Sequence, residues 1–528
     1  MTIRRRSWLP AASACVFISL VYALFFGIAP GSAEGHSHHR TEMTSASATE
    51  SRACSRVVKP RRQLQCRASV LPAAHPMSAM GVPDYGGGRQ GHVRSRDLDS
   101  LTGPAGTPDE QFTLTAAMGT QEIAGSIQPV MTFNGTTPGP TLTVEQGDLV
   151  QVTLRNVDIR RGVTIHWHGV DVPGREDGVA GVTQNAVLPG QEYTYRFVVP
   201  DAGTYWYHSH QDSLRQIRMG LVGALVVNPP PASSADTPAQ DLVGVVHTYG
   251  TRLTLNGSSA ETAVTSAPGS VVRTRFVNTD SGPAFVTASG PFRVAAIDGF
   301  DLRGPTDLTD TYVEVPAGGR VDLLTTTGND NIRIGLLAGA SFVIGPNPAA
   351  GAPRLSATSA FDPLNYGEPG SAAAARQQFG RVTRSFDYRV GQRFGYLDGH
   401  YGNWYTINGR MIPDVPMFVV RQGDVVRLRF VNNTTAVHPM HLHGHHALVL
   451  SRNGQPSTGS PWWIDSIEVK PGESYVLEFN ADNPGVWMFH CHNLPHARSG
   501  LVTHLMYDGV ESPYLIGRVN SRLVNQPE

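Results

Sequence analysis

Net charge is nearly absent from this 528-residue chain: 42 basic residues stand against 43 acidic ones, a formal charge of −1. That excludes a general electrostatic grip on nucleic acid or on anionic membranes. Cysteine is scarce as well. Only four occur, and three of them, Cys15, Cys54 and Cys66, precede the body of the chain. Cys54 and Cys66 could pair or stay free, and two cysteines alone decide neither. The fourth, Cys491, stands between two histidines in MFHCHNLPHARSGL (Met488–Leu501). Glycine (56), proline (38) and histidine (20) are plentiful. With short runs of Val, Thr and Tyr between turn residues, the chain reads as all-β, long enough for roughly two to four domains.

The N-terminus has the make-up of a targeting segment. Arg4–Arg6 precede an apolar run over about Ala11–Ala29, and small residues follow to Ala33. Residues 1–33 are therefore expected to be an export signal, or an anchor if uncleaved, since the run is nearly long enough to span a bilayer. Arg5-Arg6-Ser7-Trp8-Leu9 resembles a twin-arginine signal. Residues 34–107 are polar, without sustained alternation, and are expected to be disordered. Their HSHHR stretch (His36, His38, His39) is either a weak metal binder or a polar tail.

The body repeats itself three times. TFNG (Thr132–Gly135) is echoed by TLNG (Thr254–Gly257) and TING (Thr406–Gly409). Each is followed by a glycine that opens an alternating strand: GDLVQVTLRN (Gly147–Asn156), GSVVRTRFVN (Gly269–Asn278) and GDVVRLRFVN (Gly423–Asn432). This predicts three consecutive Greek-key β-sandwich domains at about 108–230, 238–348 and 380–510, with linkers between them and a tail over 511–528.

The outer copies share an ending that the middle one lacks. Gly203 is followed by TYWYHSH and Gly485 by VWMFHCH, whereas the middle copy has NIRIGLLAGA. Four His-x-His pairs result: His166/His168, His208/His210, His441/His443 and His490/His492. Chance would supply fewer than one pair, and not at matching places. On a strand, residues i and i+2 face the same way, so each pair presents two imidazoles together. Four facing pairs offer eight ligands, more than one metal ion needs.

Cys491 then faces away from His490 and His492. His438, three residues before His441, also points away if that segment is extended. With His496 they make a separate group of two imidazoles and a thiolate, the donor set of a blue-copper centre. In the first copy the matching residue is Ser209, whose hydroxyl cannot replace a thiolate. Cys491 is covalently joined to residues of the other group, which gives a short through-bond path between the two.

The set HWHG, YHSH, HPMHLHGH and HCHNLPHARSGL resembles the four copper motifs of the multicopper oxidases, the family of laccases and ascorbate oxidase, over about residues 110–510. The resemblance implies three cupredoxin-like domains and four copper ions: one type 1, one type 2 and a type 3 pair. It implies one-electron oxidation of a donor coupled to four-electron reduction of dioxygen to water. Carried over, His166 and His441 would hold type 2. His168, His208 and His492 would hold one type 3 copper, and His210, His443 and His490 the other. His438, Cys491 and His496 would hold type 1, with Leu501 in the axial position, unable to ligate.

Asp177, in REDGV, matches an acidic residue the family uses in proton delivery; an exposed turn aspartate is the plainer alternative. The second carboxylate often found beside the last motif is missing here, so another proton route is expected. His445 is expected to position rather than ligate, and His446, His247, His400 and His504 to play no part. Trp462 and Trp463 either shape a substrate surface or pack in the core. Methionine-rich inserts are absent, with only 12 Met and no cluster, which favours phenols or other organic donors. Oxidation of Cu⁺ or Fe²⁺ and copper binding with little turnover are the alternatives. The expected partners are O₂ and a small reductant, with no nucleic acid. The chain is expected to be exported and monomeric, with membrane contact only through an uncleaved N-terminus.

Overall fold

The computed structural model describes residues 81–88, 94–230, 238–397, 399–514 and 525–527. The expectations for residues 1–33, for Cys15, Cys54 and Cys66, and for His36, His38 and His39 lie outside the described residues. Strands carry the fold. The described α-helices are short, at Ser213–Arg218, Ser371–Gln377 and Leu494–Arg498. Among the described residues, no helix is long and apolar enough to cross a membrane.

Each third of the body builds two sheets. The first has two four-stranded sheets, the second two six-stranded sheets, and the third a seven-stranded and a six-stranded sheet. The repeated asparagines explain the recurrence. Asn134, Asn256 and Asn408 have φ of 54°, 55° and 53°, and the glycine after each also has positive φ. Asn-Gly is the pair that adopts this two-residue hairpin turn with least strain. Each Asn side chain also bridges back to the preceding long strand. Its oxygen accepts from the backbone N–H of Thr115, Val245 or Arg389, and its amide donates to the carbonyl of Thr113, Val243 or Asp387. Strand Leu149–Asn156 buries every second residue, as its alternation requires.

The site is carried by two sheets. In the first domain, strand Gly203–His208 pairs antiparallel with His166–His168, setting His166 opposite His208. In the third, Val486–Cys491 lies between Val502–Tyr507 and His438–Leu442, which in turn pairs with Ser466–Val469. This register sets His441 opposite His490 and Met440 opposite Cys491. Buried apolar residues of the first and third domains form one continuous cluster, while the second has its own.

The expectation of disorder over 34–107 is corrected for residues 81–88 and 94–107. Val82–Asp84 adds a parallel strand to the edge Pro416–Phe418, and Leu98 is fully buried in the core. These segments are two or three residues long, too short to show alternation, and they are ordered by the edge they cover. The tail is also engaged in part. Asp212 N–H donates to Gln526 O at 2.5 Å, and Ser213 Oγ donates to Pro527 O.

Candidate metal centres

The eight paired histidines converge. His166, His168, His208, His210, His441, His443, His490 and His492 are all at most 1% exposed. The nitrogens of His168, His208 and His492 lie within 4.8 Å of one another, as do those of His210, His443 and His490, and those of His166, His441 and His443. His166 and His441 bring their Nε2 atoms to 3.3 Å, and His443 and His490 theirs to 3.2 Å.

The other ring nitrogens show why these atoms are presented as ligands. The Nδ1–H groups of His166, His208, His441 and His490 donate to the carbonyls of Asp177, Ser209, Asp465 and Cys491, at 2.9–3.2 Å. Fixing the proton on Nδ1 leaves Nε2 as a bare lone pair. Nε2 of His168, His208, His210 and His492 is buried without a hydrogen-bond partner. Burial, reinforced by neighbouring imidazoles, holds His168, His208, His210, His443, His490 and His492 well below the usual histidine range. They are neutral, the form that ligates. Buried lone pairs facing one another are unfavourable until a cation fills the space between them, so the donor set fits soft or borderline metal ions such as copper.

Asp177 is fully buried, not the exposed turn residue of the plainer alternative. Its carboxylate lies 3.0 Å and 3.1 Å from His443 Nδ1, and 3.1 Å from His166 Nδ1. Gly178 makes this approach possible: a Cβ there would fall 1.7 Å from the Ile165 carbonyl oxygen.

The second group is separate. Cys491 Sγ lies 3.8 Å from Nδ1 of both His438 and His496. Thr434 Oγ1 meets His438 Nε2 at 2.8 Å, which turns Nδ1 to the sulfur. Burial pushes His438 down to about 3 and His496 to about 4. The Tyr405 ring packs against both imidazoles, with centroids 5.0 and 4.9 Å away. Leu501 is fully buried, and its carbonyl accepts from Cys491 N–H at 3.1 Å.

Comparison with known proteins decides the family. Residues 115–232 and 385–509 each match a family model described as multicopper oxidase. The chain belongs to the multicopper oxidase family. It is 28% identical over 473 residues to multicopper oxidase MmcO of Mycobacterium tuberculosis, covering 76% of this chain and 89% of that one. It is 28% identical over 467 residues to laccase-1 of Botryotinia fuckeliana, covering 75% and 81%. The solved structure of Fet3p, a multicopper oxidase that functions in iron import, matches with a TM-score of 0.65 at 23% identity, covering 76% of this chain and 91% of that one. That likeness shows the fold, three cupredoxin-like sandwiches. The chain is thus an oxidoreductase that uses copper, with O₂ as acceptor and a reductant as donor.

Several residues of the oxidase escape sequence reasoning. Asp465 is 1% exposed and lies 3.3 Å from His441 Nδ1 and 3.5 Å from His168 Nδ1. Burial alone would raise it. Arg320, at 2.7 and 2.5 Å, and hydrogen bonds from His441 and His446 instead hold it well below the carboxylate range. Beside it, burial and Asp465 raise Asp298 to about 6. His446, expected to play no part, sits 3.3 Å from Asp171 and 3.4 Å from Asp465, which overcome burial and raise it to about 10. His445 fits its expected positioning role: its two ring nitrogens meet His443 O at 3.1 Å and Tyr507 OH at 2.7 Å. The second domain, without ligands of its own, also reaches the cluster. A Cβ on Gly318 would lie 2.8 Å from His168 Nε2 and 3.0 Å from His492 Cδ2.

Proposed function

We propose that this oxidase draws single electrons from a phenolic or other organic donor at the Cys491 group and delivers four to dioxygen, giving water, at the histidine cluster. One observation carries this: on a single buried strand, Cys491 turns its sulfur to His438 and His496, while its covalent neighbours His490 and His492 join the cluster. The donor atoms fit four copper ions per chain. His438, Cys491 and His496 would hold type 1, with Leu501 axial and non-ligating. His166 and His441 would hold type 2, and His168, His208, His492 and His210, His443, His490 the type 3 pair. Copper, when bound, supplies one-electron acceptance at the first group and dioxygen reduction at the second.

The protein's own residues do the rest. Nδ1 hydrogen bonds orient the imidazoles, and Asp177 accepts from His166 with its backbone carbonyl and from His443 with its carboxylate, which holds a proton-accepting group against the cluster. Burial excludes bulk water. Domain limits of 108–230, 238–348 and 380–510 follow the repeats. We further propose export by the twin-arginine route and a monomeric state.

An organic donor is supported by the hairpin leading to Tyr405. Strand Arg384–Leu397 pairs with His400–Ile407 so that Tyr396 meets Tyr401, Phe394 meets Asn403 and Gln392 meets Tyr405. These pairs share one face, and Phe394, Tyr396 and Tyr401 are 68, 71 and 65% exposed on it. Large exposed rings on one strip suit planar donors, and the strip ends on the ring that packs against His438 and His496. The likeness to Fet3p favours a second reading, oxidation of Fe²⁺ or Cu⁺. Against it, the groups meeting His438 and His496 are aromatic, hydroxyl and thiol rather than acidic. Oxygen uptake by copper-loaded protein with phenols, bilirubin, Fe²⁺ and Cu⁺ separates these. Phenols should outrun both metal ions. The reverse order would establish the metallo-oxidase, and no uptake with any donor would leave a copper-binding protein.

A further inference from the structure

Residues Asn525–Pro527 of the tail are pinned to the first domain by a run of hydrogen bonds. Asn525 Oδ1 accepts from Ala186 N–H at 2.9 Å, and its amide donates to Asn185 Oδ1 at 2.7 Å. Gln526 N–H donates to Gln211 Oε1 at 2.8 Å, and Gln526 O accepts from Asp212 N–H at 2.5 Å. Pro527 O accepts from the Ser213 hydroxyl. Ser213 is fully buried, and Asn525 is only 8% exposed. The stretch held in this way, Gln211–Ser213, begins immediately after His210 of the histidine cluster.

His210 differs from its neighbours in what fixes its proton. Nδ1 of His166, His208, His441 and His490 faces a backbone carbonyl, and Nδ1 of His443 faces a carboxylate. Such oxygens only accept, so each of these protons must sit on Nδ1. Nδ1 of His210 meets a hydroxyl instead, Ser213 Oγ at 3.4 Å. A hydroxyl can accept from Nδ1–H or donate to a bare Nδ1. The second arrangement places the ring proton on Nε2, the buried nitrogen that has no hydrogen-bond partner and must be bare to ligate.

The tail decides between the two. A carbonyl cannot donate, so the Ser213 proton goes to Pro527 O and the Ser213 lone pairs are left for His210 Nδ1–H. Without that carbonyl the buried hydroxyl would lose its acceptor, which is costly, and His210 Nδ1 is the other ring atom within its reach. We propose that Ser213 and Pro527 O form a clasp that positions His210, holding its proton on Nδ1 and its Nε2 free for metal. Both act through His210, and neither meets the reacting atoms. The inference rests on His210 being a type 3 ligand.

The test uses copper-depleted full-length protein with ring-¹⁵N-labelled histidine, so that the tautomer of His210 is read by NMR without metal or turnover. The wild type should carry the proton on Nδ1. Ser213→Ala removes the acceptor for Nδ1–H, and deletion of residues 525–528 removes the carbonyl but keeps the hydroxyl. Each should shift His210 towards the Nε2–H form. After reloading, each should also hold one copper ion about tenfold or more weakly against a chelator, the usual cost of removing the partner of a ligating histidine. A variant that only loosens the fold would melt earlier with His210 still protonated on Nδ1, and that result overturns the proposal. An Nε2–H form in the wild type overturns it too, as does a deletion that leaves tautomer and copper retention unchanged. Retention of every copper ion in His210→Ala would instead sink the type 3 assignment, which the metal-free tautomer measurement does not use.

Discussion

His166 and His441, 275 residues apart, hold their Nε2 atoms 3.3 Å from each other while each donates Nδ1–H to a carbonyl. Neither ring has a proton to share across that gap. The contact joins the first and third domains through two lone pairs, an arrangement that a bound cation turns from repulsive to cohesive. Copper binding should therefore stabilise the fold by mass action, about 2.7 kcal/mol for a single site when free metal is 100 times its Kd.

The copper-free protein should be acid-sensitive. His168, His208, His210, His441, His443, His490 and His492, with His438 at about 3 and His496 at about 4, are held by burial below the range in which unfolded histidine takes up a proton. Between roughly pH 6.5 and 4 the unfolded chain thus binds more protons, and stability must fall as pH falls. His446 works the other way. Raised to about 10, it stabilises below about 6.5 and loses that contribution as pH rises towards 10. Urea midpoints of copper-depleted protein should drop steeply from neutral pH to pH 5. A flat profile would mean that the imidazoles are not held neutral.

Asp177→Asn should keep the turn and remove the proton-accepting charge beside His443 and His166. Steady-state oxygen uptake should show kcat lower by about 10²–10⁴ with KM for the donor unchanged. Restoration of rate by small carboxylic acids would strengthen the proton role. An unaltered kcat would reduce Asp177 to a structural support.

Arg320 of the second domain reaches Asp465 of the third at 2.7 and 2.5 Å, and neither is more than 1% exposed. Removing one partner of a buried pair costs about 3–5 kcal/mol, because the other charge is left unpaired. Arg320→Ala should lose that much in chemical denaturation. A loss below about 1 kcal/mol would show that Asp465 finds another partner.

Leu501 carries a prediction about potential. A thioether can donate weakly along the axial direction and a leucine methyl cannot, so Leu501→Met should lower the type 1 potential by tens of millivolts. For a one-electron couple, ~30 mV is about 0.7 kcal/mol. Redox titration of the blue band checks this. An unchanged or raised potential would mean that the Leu501 side chain is not turned to the metal.

The sequence made legible what local periodicity controls. Alternation along Val486–Cys491 was enough to put Cys491 on the opposite side from His490, and the Asn-Gly turns marked the three repeats. Asp465, Arg320, Asp298 and His446 were not legible, because strands far apart in the chain bring them to the cluster and no spacing records that. No carboxylate stands beside the last motif, in Asn493–Arg498, while the fold brings Asp465 of WWIDS (Trp462–Ser466) to the cluster. The short strand Val82–Asp84 was invisible for a related reason: it is ordered by the sheet edge at Pro416–Phe418, not by its own pattern.

We assign Cys491 to one copper centre and its neighbours His490 and His492 to another. Metal analysis with optical and EPR spectra of the wild type and Cys491→Ser tests it most directly. The wild type should hold about four copper ions and show the intense blue thiolate band. Cys491→Ser should lose that band and about one copper ion, lose turnover, and keep the type 2 signal, since the eight cluster histidines are untouched. Retention of the blue band in Cys491→Ser, or loss of every copper ion together, would contradict it.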